Sequence, residues 1–414
     1  MTNAPIEFEL LLACLRRPLN DADRARIASL LCNQLDAARF SGLVRHHGVT
    51  PIVFRNLNQT AAKSAPHALI AELLDSAREA GTKAMRRVME IVRLVTALQR
   101  HRIKVRILKG IAISLLAYGD ATLQDSIDID LLVSAAQLLD AEKILAECGY
   151  IRIVPFARMT PRRLRWELRH GHEFKFIHRE SHQSVELHWE LAPNRYKYPR
   201  FPVEKVSTEH LSLGGRRIPS LGAHEMFLHA CIHGAEHYWS RLKWLAPVAA
   251  IIRAMTREDF RAVAQRAEEV CVTAELYAAV ALAQHYRLID EGEFAIAGQP
   301  GPIARKLIER SRRAIEGAEG NLTNSLGDFR DAWTAASSFA YRRNLIERTI
   351  IRHESWDLID LPDALFFGYV LLSPFAWLAH RRRARRTAFG AQLMKPRRRG
   401  PESKAPAKGA IDTA

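Results

Sequence analysis

Two aspartates, Asp128 and Asp130, sit in the run Ser-Ile-Asp-Ile-Asp-Leu-Leu-Val at residues 126–133. Ile127, Ile129 and Leu131 alternate with them, so a strand would set both carboxylates on one face, about 6–7 Å apart at Cα. Like charges that close repel unless a cation lies between them. A hard divalent ion such as Mg²⁺ or Mn²⁺ takes such oxygen ligands and leaves positions open for water and substrate phosphates. The chemistry this suits is phosphoryl transfer, where the ion steadies the attacking and leaving oxygens. Glu186, between Val185 and Leu187 on another predicted strand, would face the same way and could join the pair. Upstream, Lys109-Gly110 lies between a β-branched run and a predicted helix. The free N–H groups of a helix start, a glycine that allows close approach and a lysine charge together make a phosphate seat.

Other residues are candidates by type and spacing. His229, His233 and His237 recur every four residues and line one helix stripe. No His-Glu-x-x-His arrangement or third ligand accompanies them, so a polar face that contacts phosphate or acceptor through His233 and His237 is a better reading than zinc. Arg241 and Lys243, beside Trp239 and Trp244, have the reach to touch a triphosphate. His188 returns to the face of Glu186 and suits a supporting role, while His172 and Glu173 fall at the edge. Arg162, Arg163, Arg165 and Arg169 read as a solvated basic helix face.

The elements that must hold these residues follow from periodicity. Residues 7–100 read as helices, one capped by Asn20 or Asp21, one over 40–58, and a long one over 68–100 that opens after Pro66. Strands are expected at 104–108, 126–133, 173–177 and 184–189, with helices at 111–118 and 135–148 between them. Helices return at 225–238, 245–255, 257–286, 302–315 and 324–347, and Leu361-Pro362 opens a last apolar one. These boundaries predict an α+β chain. Residues 1–102 form an N-terminal helical region, 103–192 an α/β catalytic domain, 193–380 a C-terminal helical domain and 381–414 a basic, disordered tail.

Composition sets the outer bounds. With 414 residues, 48% of them hydrophobic, the chain can bury a large core without disulfide or metal staples. Its five cysteines are scattered and form no Cys-x-x-Cys pair, which points to a reducing compartment and excludes a disulfide framework. No signal peptide is expected in residues 1–20. The apolar stretch 364–379 is shorter than the ~18–20 residues of a spanning helix. It reads as a buried helix with a solvated end rather than a membrane-surface anchor. The net charge of +16 is uneven: after residue 380, eleven basic residues against Glu402 and Asp412 leave +9, and the body carries +7. Such a tail suits phosphate contacts with nucleic acid or anionic lipid, or simply keeps the chain soluble. The chain is therefore expected in the cytoplasm or at a membrane periphery.

Together the motifs resemble the nucleotidyltransferase superfamily with the DNA-polymerase-β-like fold, and more closely a poorly characterised bacterial nucleotidyltransferase group. The resemblance rests on His47-Gly48-Val49-Thr50-Pro51, Leu108-Lys109-Gly110, Tyr118-Gly119-Asp120 and Asp128-Ile129-Asp130. Glu186-Leu187-His188-Trp189, His233-Gly234-Ala235-Glu236-His237-Tyr238-Trp239 and Arg241-Leu242-Lys243-Trp244 extend it. It implies a polymerase-β-like mixed sheet and a metal-dependent enzyme that moves a nucleoside monophosphate from a nucleoside triphosphate to an acceptor. The resemblance makes Asp128, Asp130 and Glu186 the metal ligands and turns Lys109 and Gly110 to the triphosphate. Gln124, Ile127 and Pro247 depart from the family's usual Arg, Gly and Asp. Gln124 and Pro247 favour, as the alternative, an impaired nucleotide- or partner-binding protein. The apolar stretch and Arg381–Arg386 favour a membrane-surface accessory protein of a biosynthetic cluster.

Overall fold

The computed structural model describes residues 5–61, 65–290, 292, 294, 296, 298–317, 325–336 and 338–375. Residues up to Thr349 make one compact unit and those from Ile350 another. Five helices open the first: α1 (Ile6–Ala13), α2 (Asp21–Leu31), α3 (Ala37–His47), α4 (Thr50–Ala61) and α5 (His67–Arg100). Asn20 begins α2 with a reciprocal capping box to Asp23, which satisfies the orphan N–H groups at the helix start. The helix expected over 40–58 is two helices, because Gly48 turns left-handed at φ 64° and ends α3. Along α5, Leu69, Leu73, Val88, Ile91, Leu94, Val95 and Leu98 are buried at three- and four-residue spacing. Each such side chain contributes about 1.5–3 kcal/mol when fully buried.

The sheet follows: β1 (Val105–Ile107), α6 (Lys109–Tyr118), β2 (Asp128–Val133), α7 (Leu138–Glu147), β3 (Tyr150–Val154), α8 (Pro161–His170), β4 (Glu173–His178), β5 (Ser184–His188), β6 (Thr208–Leu213) and β7 (Arg216–Leu221). Its order is β3-β4-β5-β2-β1-β7-β6. β2 runs parallel to β5 and antiparallel to β1, while β7 runs parallel to β1, so the sheet is mixed. Strand β3 and the β6–β7 hairpin were not expected from the sequence, and the hairpin extends the sheet past residue 192. The basic helix α8 also differs from expectation. Arg163 is buried and donates to the Arg158 carbonyl, so that face is not simply solvated.

Helices close the unit: α9 (Ala223–Glu236), α10 (Leu242–Ala254), α11 (Arg257–Glu269), α12 (Thr273–His285), α13 (Pro302–Ile315), α14 (Ser325–Ala335) and α15 (Phe339–Ile350). The single helix expected over 257–286 is broken where Cys271 takes φ 63°. One continuous core joins α1–α5, both faces of the central strands and α9–α12. All five cysteines are free.

In the second unit, Trp356, Phe366 and Tyr369 pack ring against ring, and the Tyr369 hydroxyl donates to the Ile359 carbonyl. The segment expected to be a buried helix begins instead as a 3₁₀ turn over Asp363–Gly368. Only one of its faces is buried, since Leu365, Phe367, Leu371 and Phe375 are 60–75% exposed. Residues 376–379 and the basic tail 381–414 lie outside the described residues. No helix among the described residues is long and apolar enough to cross a membrane.

Candidate active site

Register places the central carboxylates. In the parallel β2–β5 pair Asp128 is opposite Ser184 and Asp130 opposite Glu186. In the antiparallel β4–β5 pair Lys175 is opposite Glu186 and Glu173 opposite His188. The period of two then sets Asp128, Asp130, Glu186, His188, Glu173 and Lys175 on one face of three adjacent strands. Alternation within β2 and β5 is visible in the sequence. Their register comes from burying Ile129 and Leu131 against Val185 and Leu187 on the other face, and a one-residue slip would reverse every side chain.

The turn before α6 delivers Lys109. Gly110 takes φ 45° and ψ −113°, a region open to glycine. A Cβ there would lie 2.8 Å from Ser126 Oγ, and that hydroxyl donates to the Asp128 carbonyl at 3.0 Å. Gly110→Ala is therefore expected to cost about 1–3 kcal/mol from the strained backbone. It should also push Ser126 off β2. An unchanged urea midpoint would count against this account of the turn.

Carboxylates and cations alternate across the face. Lys109 Nζ lies 2.8 Å from Asp130 Oδ1 and 3.5 Å from Glu186 Oε2. Lys175 Nζ lies 2.6 Å from Glu186 Oε1 and 3.0 Å from Glu173 Oε1. His188 Nε2 sits 3.1 Å from Asp130 Oδ1 and 3.4 Å from Glu173 Oε2. Burial by itself would lower the Lys109 ammonium, yet Asp130 and Glu186 hold it above the usual lysine range. Burial and Lys109 oppose charge on His188, but hydrogen bonds with Asp130 and Glu186 outweigh them and push it up to about 9. Glu186 is held well below the carboxylate range despite burial, by His188, Lys109 and Lys175. Asp128 differs from these: burial raises it, the bond from Ser184 offsets part of that, and Glu186 and Asp130 raise it further.

These side chains line a cavity of about 570 Å³. Its helical wall includes His229, His233, Glu236 and His237 from the α9 stripe and Lys243, Trp244 and Pro247 from α10. Local packing fixes that wall. Past α9, Tyr238 and Trp239 turn left-handed, and the Trp239 indole folds back onto Gly234, where a Cβ would meet Nε1 at 2.1 Å. His237 stacks on Trp244 at 4.4 Å, and His233 meets His237 edge-on at 4.8 Å. At the start of α10 the Leu242 N–H donates to His47 Nδ1, and Lys243 lies against Gly48. The His47-Gly48 motif thus seats α10. Burial pushes the imidazoles down, His229 and His233 well below their ordinary value and His237 to about 4.

Lys109, Gly110, His233, His237 and Lys243 all line the cavity, whereas Arg241 is exposed at the N-cap of α10 and does not. His172 and Glu173 line it as well. Asp130, Glu186 and His188 bring one ligand atom each within 4.8 Å of one another, and His172, Glu173 and His188 form a second such group. Asp128 belongs to neither, its carboxylate being turned to Ser184. The oxygen donors of Asp130 and Glu186, with Asp128 two residues away on the same face, fit a hard divalent ion. Sequence reasoning missed Lys175, which ties Glu186 to Glu173, and Glu236. The only signal for Lys175 was its alternation with Glu173.

A family described as uncharacterised nucleotidyltransferase matches residues 33–287, more than half of the chain. No curated protein matches it. Among solved structures, the solution structure of the antibiotic-resistance factor ANT(2'')-Ia is similar over 49% of this chain and 97% of that one. Identity is 14% and the TM-score 0.30.

Proposed function

Because the chain belongs to this uncharacterised nucleotidyltransferase family, we propose that it moves a nucleoside monophosphate from a nucleoside triphosphate to an acceptor hydroxyl or phosphate, with a divalent ion. The observation that carries this reading is the pairing of Asp130 with Glu186 across β2 and β5, at the wall of a cavity that also takes in Lys109 and Gly110.

Asp128, Asp130 and Glu186 are the residues that would hold Mg²⁺ or Mn²⁺. When bound, such an ion withdraws charge from the phosphate oxygens and steadies the leaving group. Lys109 is poised to turn from Asp130 to a phosphate oxygen, and the N–H groups at the start of α6 add the positive end of a helix dipole. His233, His237 and Lys243 bound the other side of the nucleotide. An acceptor oxygen attacks the α-phosphorus in line and pyrophosphate leaves. The test is incubation with each α-labelled triphosphate, Mg²⁺ and a cell extract. Label transferred to an extract component supports the reading. Nucleotide bound without any pyrophosphate release supports the binding-protein alternative, which the Gln124 and Pro247 positions in the cavity wall favour.

A second reading concerns location. The exposed Leu365, Phe367, Leu371 and Phe375 precede the Arg381–Arg386 run in sequence, a combination suited to the surface of an anionic membrane. The full chain should float with anionic liposomes, and should lose that on removal of residues 381–414 or on replacing Phe367 and Leu371 by serine. Equal recovery with neutral liposomes would overturn it. Tail-dependent binding to RNA but not to liposomes would assign the charge to nucleic acid instead.

A further inference from the structure

Attack by a hydroxyl needs a group that takes its proton, and the cavity narrows the choice. Asp130, Glu186 and Glu173 are committed to Lys109, Lys175 and His188. His188 is engaged by Asp130 and Glu173, and His237, pushed down by burial, is a weak base. Glu236 stands apart. It follows His229 and His233 on α9 by seven and three residues, so it shares the face of that helix which lines the cavity. It makes no hydrogen bond or ion pair among the described residues, an uncommon state for a half-buried carboxyl.

We infer that Glu236 is the general base for the acceptor, and that the acceptor is accordingly a hydroxyl, which has a proton to give, rather than a phosphate. The inference rests on the transferase reading above. In the step, the acceptor O–H bond breaks and its proton passes to a Glu236 carboxylate oxygen. The acceptor oxygen bonds to the α-phosphorus, the bond from that phosphorus to the bridging oxygen breaks, and pyrophosphate leaves with the electron pair.

The surroundings suit the role. The charged groups around Glu236 are Lys197 after β5, Lys109 on α6, Glu173 on β4 and Glu275 on α12, with His233 and His237 on its own helix. Burial, opposed by Lys197 and Lys109 and aided by Glu173 and Glu275, pushes Glu236 up to about 7. A base is most effective when its pKa lies near the working pH. Lys197 is tied to Glu275 at 2.9 Å, and Tyr198 donates to the same carboxylate, so that cation is already engaged.

The experiment compares the full-length wild type, Glu236→Gln, Glu236→Asp and Asp125→Asn. Asp125 is the other cavity carboxyl without a partner among the described residues, and it lies near Arg87 and Lys243. Each variant is given α-labelled ATP, CTP, GTP and UTP with Mg²⁺, using water alone and then a soluble extract as the acceptor source, over pH 5.5–8.5. Glu236→Gln is expected to lose about 10²-fold or more in kcat. Its KM for the triphosphate should stay within about threefold of wild type. The rise of rate with pH through about 7 should vanish in Glu236→Gln and persist, at reduced rate, in Glu236→Asp, and it should also persist in Asp125→Asn whatever that variant's rate. Wild-type turnover with an unchanged Glu236→Gln rate and pH profile overturns this assignment alone. So does a changed KM at constant kcat, or loss of the rising limb in Asp125→Asn instead. A wild type that turns over no triphosphate overturns the transferase reading, and this assignment falls with it.

Discussion

Asp128→Asn is expected to lower metal-dependent turnover at least about 10³-fold, since a catalytic metal is worth several kcal/mol and each 1.36 kcal/mol is tenfold in rate. The same substitution should leave the melting temperature without metal unchanged or slightly raised. The two effects share one cause. Asp128 has a raised pKa in the folded protein, from burial and from Glu186 and Asp130 nearby. A carboxyl with a folded pKa above its unfolded value destabilises the fold at every pH where it is ionised. Asparagine removes that charge without removing the contact to Ser184. Asp130 is a different case, because it accepts from both Lys109 and His188 and its loss would leave these buried cations only their longer contacts with Glu186 and Glu173. Asp130→Asn should therefore cost both activity and stability, and Asp128→Asn activity alone. Mg²⁺ or Mn²⁺ should raise the wild-type melting temperature by ligand linkage and should not raise that of Asp128→Asn. Retained turnover in Asp128→Asn would remove Asp128 from the proposed ligands. A melting temperature lowered by several degrees would show that the fold depends on its charge.

The candidate site was legible where chemistry and periodicity coincide in one short run. Asp128 and Asp130 alternate with buried isoleucine and leucine, and Glu186 stands between Val185 and Leu187, so face and strand could be read together. The partners that neutralise them were not legible, because a lysine on a strand ordinarily faces solvent. Lys175 meets Glu186 only through the β4–β5 register, which no local pattern fixes. Glu236 was hidden differently: it lies one position off the four-residue rhythm of His229, His233 and His237. The β6–β7 hairpin was missed because Glu209, His210, Arg216 and Arg217 are exposed and dilute its alternation. Its turn did announce itself. Gly214 and Gly215 take φ 54° and 74°, the two left-handed residues that a tight hairpin needs. The apolar segment after Leu361 was misread as buried because composition reports how many apolar residues a segment has and not whether one helix face finds a partner.

Asp23→Ala is expected to cost about 3–5 kcal/mol of stability, the range for removing one member of a buried ion-pair cluster. Asp23 is 6% exposed and does two things at once. It closes the capping box of α2 by accepting from the Asn20 N–H, a contact worth about 1 kcal/mol in typical helices. It also accepts from Arg16 Nε and, at 2.9 Å, from Arg253 Nη2 on α10. Arg16 reaches on to Asp290 at 2.7 Å and Arg253 reaches it at 3.1 Å, so two guanidiniums share two carboxylates between the N-terminal helices and α10. Asp290 is more than half exposed, and a carboxylate so open to water compensates a buried arginine poorly. Truncating Asp23 leaves both guanidiniums to that one weak carboxylate and to the Arg287 and Pro18 carbonyls to which they donate. The consequence reaches the cavity indirectly, because α10 also carries Lys243 and Trp244. If the cluster only anchors α10, the urea midpoint should fall while the folded fraction keeps its turnover, and Asp23→Asn should lie between wild type and alanine. A loss below about 1 kcal/mol would mean that the cluster behaves as an exposed surface pair. Lost turnover at an unchanged midpoint would mean instead that Asp23 governs the position of α10 in the working site rather than the stability of the fold.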